Sequence, residues 1–219
     1  MIDSTRFNYI NFVLSCSVTN CGINEQTGFA MNIGGGQEKI DNANFSSNKC
    51  KQNAGYDLWY GDPEPTGKYI IVTNCNSSEY LNEFVCYSPY GIANSFVSIV
   101  QNNCGNSVVY SYYGYDVRFD NCIFLENHAS YGFKAELDSN AFTVTNSFVS
   151  LRTKTGRGKL ILKNLRNDIF SIYRDLNDNK NCNNVYLAIV KIKIKCSYVN
   201  NIYSRLLLTS IVNLVYGLL

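Results

Sequence analysis

The sequence predicts an all-β fold. It is a right-handed parallel β-helix of about five to six rungs over residues 7–150, with an irregular or partly helical tail over 151–219. Three observations carry the prediction. The chain is rich in strand formers, with 17 Tyr and 12 Phe, and only three Pro interrupt it. Apolar residues alternate over about four to six positions at a time, the period of a strand and too short a run for a helix. An Asn recurs after these short strands, at Asn11, Asn42, Asn74, Asn94, Asn121 and Asn146.

The six Asn are 31, 32, 20, 27 and 25 residues apart and average 27, a period in the solenoid range. A second Asn follows each of the first five anchors six to nine residues on, at Asn20, Asn48, Asn82, Asn103 and Asn127. One rung cannot bury its own apolar residues, but rungs stacked ~4.8 Å apart share a continuous interior. Each corner needs a residue that tolerates a left-handed conformation. Asn does so best among the non-Gly residues, and its amide can bond to the next rung. The anchors therefore predict an Asn ladder at one corner. The stretches Gly34–Lys39 and Gly61–Lys68 are insertions at turns.

With 219 residues, 46% of them apolar, the chain has material for one domain, or one domain and a tail, and is not disordered by composition. The net charge of +2 hides an asymmetry. Residues 1–150 carry 7 Lys/Arg against 14 Asp/Glu, and residues 151–219 carry 12 against 3. The start, from Met1 to Cys16, lacks a basic, then apolar, signal-peptide pattern, and the coil begins near Phe7 with its first edge bare. The apolar run Leu206–Leu219 falls short of the ~20 residues of a spanning helix.

Nine Cys include a repeated dipeptide: Asn20-Cys21, Asn74-Cys75, Asn103-Cys104 and Asn121-Cys122. A Cys after the turn points inward and packs as a small apolar group, so these four are expected to be buried and unligated. The alternatives are disulfides in an oxidising compartment and, more remotely, a metal site. No CxxC occurs, and His128 is the one His.

The wording "FDNCIFLEN" at Phe119–Asn127 resembles the degenerate repeats of polymorphic-outer-membrane-protein-like surface proteins of chlamydiae and trichomonads. The pattern over about residues 7–150 resembles the pectate-lyase-like superfamily. The first resemblance implies a large surface protein with a signal peptide and a membrane anchor. The second allows a carbohydrate-active enzyme, whose acids and bases line an exterior groove.

The exterior offers few candidates for such chemistry. Asp116, Arg118 and Asp120 alternate with Val117 and Phe119, so they project outward ~7 Å apart. Two carboxylates could serve a glycoside hydrolase, but an Arg between them favours an ion-paired solvated face. The clustered Asp, His-Gly and Arg-x-Lys wording of the enzymes does not occur. His128 reads as a surface turn residue with Glu126 as its one acidic neighbour. The stretch Gly61–Lys68 has the wrong spacing for a phosphate loop and two Pro that remove donors. Asn44 and Asn76 begin glycosylation sequons, meaningful if the chain is secreted. Tyr110, Tyr112, Tyr113 and Tyr115 are the better lead, because a Tyr ridge can stack on sugars or anchor a protein, although alternation should send some of them into the core.

Beyond Ser150 the Asn pattern is expected to stop. Leu162, Leu165, Ile169, Ile172 and Leu176 fall at helical spacing, and Ile189–Cys196 reads as a strand. A shifted reading frame in an A/T-rich gene is the first explanation of this tail. A cap on the coil end is the second and a basic membrane-proximal segment the third. The functional expectation is a non-catalytic segment of a surface or secreted adhesin-like protein that binds carbohydrate or protein. A polysaccharide lyase or glycoside hydrolase is the competing class, and a gene fragment without independent function the third. No catalytic, metal or cofactor residue is assigned and no nucleic acid partner is expected. The location is extracellular if the chain belongs to a longer secreted protein.

Overall fold

A computed structural model describes residues 3–4, 10–22, 30–33, 37–59, 64–86, 91–169 and 172. Over these residues the chain is an all-β parallel solenoid of about four complete turns. A short pair, β1 (Asp3–Ser4) and β3 (Asn32–Ile33), stands apart from β2 (Ile10–Thr19), the first strand of the long sheet. The successive turns are β4 (Gln37–Ser46), β5 (Lys49–Cys50) and β6 (Asp57–Trp59); then β7 (Thr66–Thr73), β8 (Asn76–Ser77) and β9 (Tyr80–Cys86). Next come β10 (Ile92–Ser95), β11 (Ser98–Val100), β12 (Asn103–Cys104) and β13 (Ser107–Gly114). They are followed by β14 (Asp116–Asp120), β15 (Ile123–Leu125) and β16 (Tyr131–Ala135). The last strands are β17 (Ala141–Thr145), β18 (Phe148–Val149), β19 (Lys154–Thr155) and β20 (Lys159–Lys163).

Each full turn visits three parallel sheets. The long sheet stacks β2, β4, β7, β10 with β11, β14 with β15, β17 with β18, and β20. The short sheet is β5, β8 and β12, continued by a bridge from Asn103 to His128. The third sheet is β6, β9, β13, β16 and β19. Incomplete levels at both ends bring the long sheet to seven levels, six of them within residues 7–150.

The corners follow a stricter rule than the Asn count suggests. Ser15, Asn42, Tyr69, Phe96, Asn121, Asn146 and Asn164 all have φ between 49° and 56°. They occupy one column of the long sheet, spaced 27, 27, 27, 25, 25 and 18 residues apart. A second left-handed column, Asn20, Ser47, Asn74, Gln101 and Glu126, lies five residues further on in the first five levels. Its backbone N–H groups bond to the next level, as from Ser47 to Thr73 (3.1 Å) and from Gln101 to Leu125 (3.0 Å). A left-handed residue other than Gly costs roughly 1–2 kcal/mol, least for Asn. Tyr69 and Phe96 have rings stacked at 5.3 Å, and that contact offsets the strain.

Two expected anchors are not corners. Asn11 lies within β2, and Asn94 is a core residue of β10 whose carbonyl oxygen accepts a bond from the buried Tyr56 hydroxyl (2.9 Å). Gly67 faces Asn94 in the next level, and a Cβ there would collide with its amide. The expected insertion Gly61–Lys68 is accordingly shorter, since Thr66–Lys68 already belong to β7.

In place of the expected ladder of anchor amides, interior amides lie one residue past the second corner, where Cys takes two of the five places. Directly after the second corner come Cys21, Asn48, Cys75, Asn102 and Asn127. The Asn102 side chain accepts from the Cys75 N–H (2.9 Å), donates to Val72 O (3.0 Å) and Val100 O (3.1 Å), and bonds to the Asn127 carbonyl oxygen (2.9 Å). Asn48 likewise accepts from the Cys21 N–H (3.0 Å) and donates to Val18 O (3.1 Å). These amides satisfy backbone groups where the chain turns inside the coil. Around them runs a chain of ring contacts from Phe45 through Tyr56, Phe84, Phe119, Phe124 and Phe133 to Phe142, each 5.2–5.9 Å from the next.

The ladder does not end at Ser150. β19 pairs with β16 and β20 with β17, so the stretch read at helical spacing from Leu160 begins as a strand. Leu160 and Leu162 stand beneath Phe142 and Val144 in the inner columns, and that packing outweighs the weaker helical period. Residues 173–219, with the expected strand Ile189–Cys196, lie outside the described residues.

Interior and rim amides should differ in worth. Asn102→Ala orphans several buried backbone groups and is expected to cost about 2–4 kcal/mol in denaturant unfolding. Asn121→Ala, at a half-buried corner, should cost only about 1 kcal/mol.

Candidate ligand-binding face

The outer face of the third sheet carries the best-formed cluster of exposed functional side chains. Strand β13 pairs with β9 from Ser107 opposite Tyr80 to Gly114 opposite Cys86, and the register slips between Ser111 and Tyr113. Tyr112 is thus the extra residue of a β-bulge. Regular alternation would send one of two successive side chains inward, but a bulge re-aims them. Tyr112 and Tyr113 are both exposed, at 47% and 43%, and Tyr115 joins them at 48%. Tyr110 is buried within the same face.

Ring centroids run from Tyr80 to Tyr110 (4.4 Å), on to Tyr112 (6.1 Å) and to Tyr113 (5.5 Å), a continuous aromatic strip. Lys134 in β16 places its ammonium 4.7 Å from the centre of the Tyr110 ring and pairs with Glu136 (3.1 Å). Glu83 lies opposite Tyr110 in β9 and accepts from the Asn53 amide (3.0 Å). Burial pushes the Glu83 carboxyl above its ordinary range. Burial, then the nearby Glu83 and Glu79, raises the Tyr80 phenol. Burial and Glu136 raise that of Tyr110. The face therefore sets exposed rings near the Lys134–Glu136 pair, whereas Glu83 is buried and held by Asn53.

The sequence singled out the tyrosines but not Glu83, Glu136 or Lys134, which come from other turns. Only the register of β9, β13 and β16 brings them together.

On the long sheet, Asp116, Arg118 and Asp120 do project outward, and each is engaged in structure. Thr143 donates to both Asp116 carboxylate oxygens (3.0 Å each). Asp120 accepts from Thr145, Asn146 and Asn121 (2.8 Å each), and Arg118 pairs with Glu64. The two acids act as ties to the neighbouring turn. His128 is an exposed position of the short sheet whose backbone bonds to Asn102 and Cys104, while exposed Glu126 accepts from Gln101 (2.9 Å). These two side chains do not form a dyad. Asn44 and Asn76 are half-buried strand residues. Among the described residues, no three His, Cys, Asp or Glu side chains converge on a point that could hold a metal ion.

Cys75, Cys104 and Cys122 are buried free thiols, as their inward positions require. Cys21 is exposed, against expectation, because it lies in the first, incomplete level. Burial pushes the Cys75 thiol up to about 11 and those of Cys104 and Cys122 up to about 12.

Two measurements follow from these environments. The thiolate is the reactive form, so Cys75, Cys104 and Cys122 should label at least about 10²-fold more slowly than Cys21 in the native protein. Equal rates, read by mass spectrometry, would contradict their burial. For Glu83 the sign is set by a folded-state pKa above the ordinary value of 4.5. Its contribution is fully present below that value and lost as pH rises through the raised one. Glu83→Gln should therefore melt higher than the wild type at about pH 7, and the gap should close at about pH 4.

No family model matches the chain, and neither a curated protein nor a solved structure shows significant similarity to it.

Proposed function

We propose that the chain is a non-catalytic β-solenoid segment of a surface or secreted adhesin-like protein, and that it binds carbohydrate through the tyrosine face of the third sheet. The observation that carries the reading is the bulge at Tyr112, which turns two successive tyrosines outward beside a continuous aromatic strip. Tyrosine rings stack on the C–H faces of pyranoses while their hydroxyls and neighbouring carboxylates take up the sugar hydroxyls. The resemblance of Phe119–Asn127 to polymorphic-outer-membrane-protein-like repeats, and of the coil to the pectate-lyase-like superfamily, supports an extracellular setting. Such coils present long side-by-side strands to ligands. The enzyme reading draws less support, since Asp116, Asp120 and Arg118 are each committed to a structural partner.

A glycan array read together with a reducing-end release assay tests the proposal. Binding without turnover is expected, and Tyr112→Ala with Tyr113→Ala should weaken it by about tenfold or more. Release of reducing ends that stops in Asp120→Asn would instead make the chain an enzyme.

A further inference from the structure

We propose that Asn76 is an acceptor for an N-linked glycan, and that the fold excludes Asn44, which begins the chain's other Asn-x-Ser sequon, from that role. Asn76 meets the transferase only in the secreted or surface setting of the proposed function, on which this reading rests. The donor is an oligosaccharide carried on a polyprenyl pyrophosphate. A bond forms between the Asn76 amide nitrogen and C1 of the first sugar as the bond from C1 to the pyrophosphate oxygen breaks. The pyrophosphate leaves with the electron pair, and the amide gives up one proton to a base of the transferase.

Asn76 sits where a glycan has room to leave the coil. It is the first residue of β8 in the short sheet, paired with Lys49 of β5 on one side and Asn103 of β12 on the other. His128 continues the same column beyond Asn103. Lys49, Asn103 and His128 are exposed, while Cys50, Ser77 and Cys104, each one residue away from this column, are buried. Side chains alternate across a sheet, so the column of Asn76 is the outward one. The backbone that carries it is fixed. The Asn76 N–H donates to Asn48 O (2.8 Å), and the Ser77 hydroxyl ties the following bend to Lys51 O (3.0 Å) and Tyr80 O (2.8 Å). Among the described residues the Asn76 side-chain amide has no hydrogen-bond partner, unlike the interior amides of Asn48 and Asn102. A glycan there displaces nothing that holds the coil.

Asn44 differs on both counts. Its amide donates to Ser17 Oγ (3.5 Å). Its outward column in the long sheet continues through Ile71, Ser98 and Ile123. Ile71 lies between the inward Ile70 and Val72, yet it is only 6% exposed, and Ile123 only 1%. The long sheet is thus closed over directly beside Asn44, whereas the short sheet is open beside Asn76. A glycan held at Asn44 would have to part that packing.

Transfer takes place on the extended chain, so both sequons meet the enzyme and the fold decides which glycan native protein retains. The test is expression of the full chain behind a secretory leader in eukaryotic cells. The folded, protease-resistant fraction of medium and microsomes is then read by mass spectrometry. The expected result is a mass shift that peptide N-glycanase removes, leaving aspartate at the position of Asn76. Asn76→Gln and Ser78→Ala should each lose the shift, Ser78→Thr should keep it, and Asn44→Gln should leave it unchanged. A bare Asn76 in the folded fraction overturns the proposal. So does a glycan carried equally at Asn44. The glycan array on the same protein reports separately on the tyrosine face, which lies on another sheet and should bind alike in the wild type and Asn76→Gln.

Discussion

The whole coil depends on a left-handed corner that recurs at the same place in all seven levels of the long sheet, followed five residues on by a second in the first five levels. A parallel stack requires every level to turn at the same column, since a corner shifted by one residue would send the following side chains to the wrong face. Residue type at the corner matters less than position. Ser, Asn, Gln, Glu, Tyr and Phe all occupy these sites, and the strain of the unsuited ones is offset by contacts along the column. The interior amides complete the device. The buried Asn that follows the second corner ties backbone groups of adjacent levels, so the bend is satisfied from inside rather than by water.

Because corners and core hold the levels together, the outer faces are free to differ. On the long sheet that freedom is used for ties such as Asp116 to Thr143. On the third sheet it admits a bulge, which would be costly at an inner column but re-aims Tyr112 and Tyr113 without disturbing Val109 or Phe133 beneath. The carboxylates beside the rings come from turns before and after, so the chemistry of the face is a property of stacking.

Much of the architecture was legible in the residues. Asn42, Asn74, Asn121 and Asn146 are corners, and the mean spacing of 27 equals the true spacing of the early levels. What misled was the identity of the marker. Asn11 and Asn94 resemble corner residues because Asn also serves in strands and as a buried hydrogen-bonding group. Ser15, Tyr69 and Phe96 carry no left-handed signature and were invisible. The bulge was equally hidden, since alternation over "SYYGY" predicts that some of these tyrosines enter the core. The candidate site was legible as a set of tyrosines, but not as a face with Glu83, Lys134 and Glu136.

The change of vocabulary at Ser150 shows why composition alone is a poor guide to where such a coil ends. Charge reports on outward positions, and a level keeps its place through inward ones. In β20 the lysines 159 and 163 are exposed, while Leu160 and Leu162 continue the columns of Phe142 and Val144, and Asn164 turns the corner below Asn146. A net charge that switches sign between levels therefore leaves the packing rule intact.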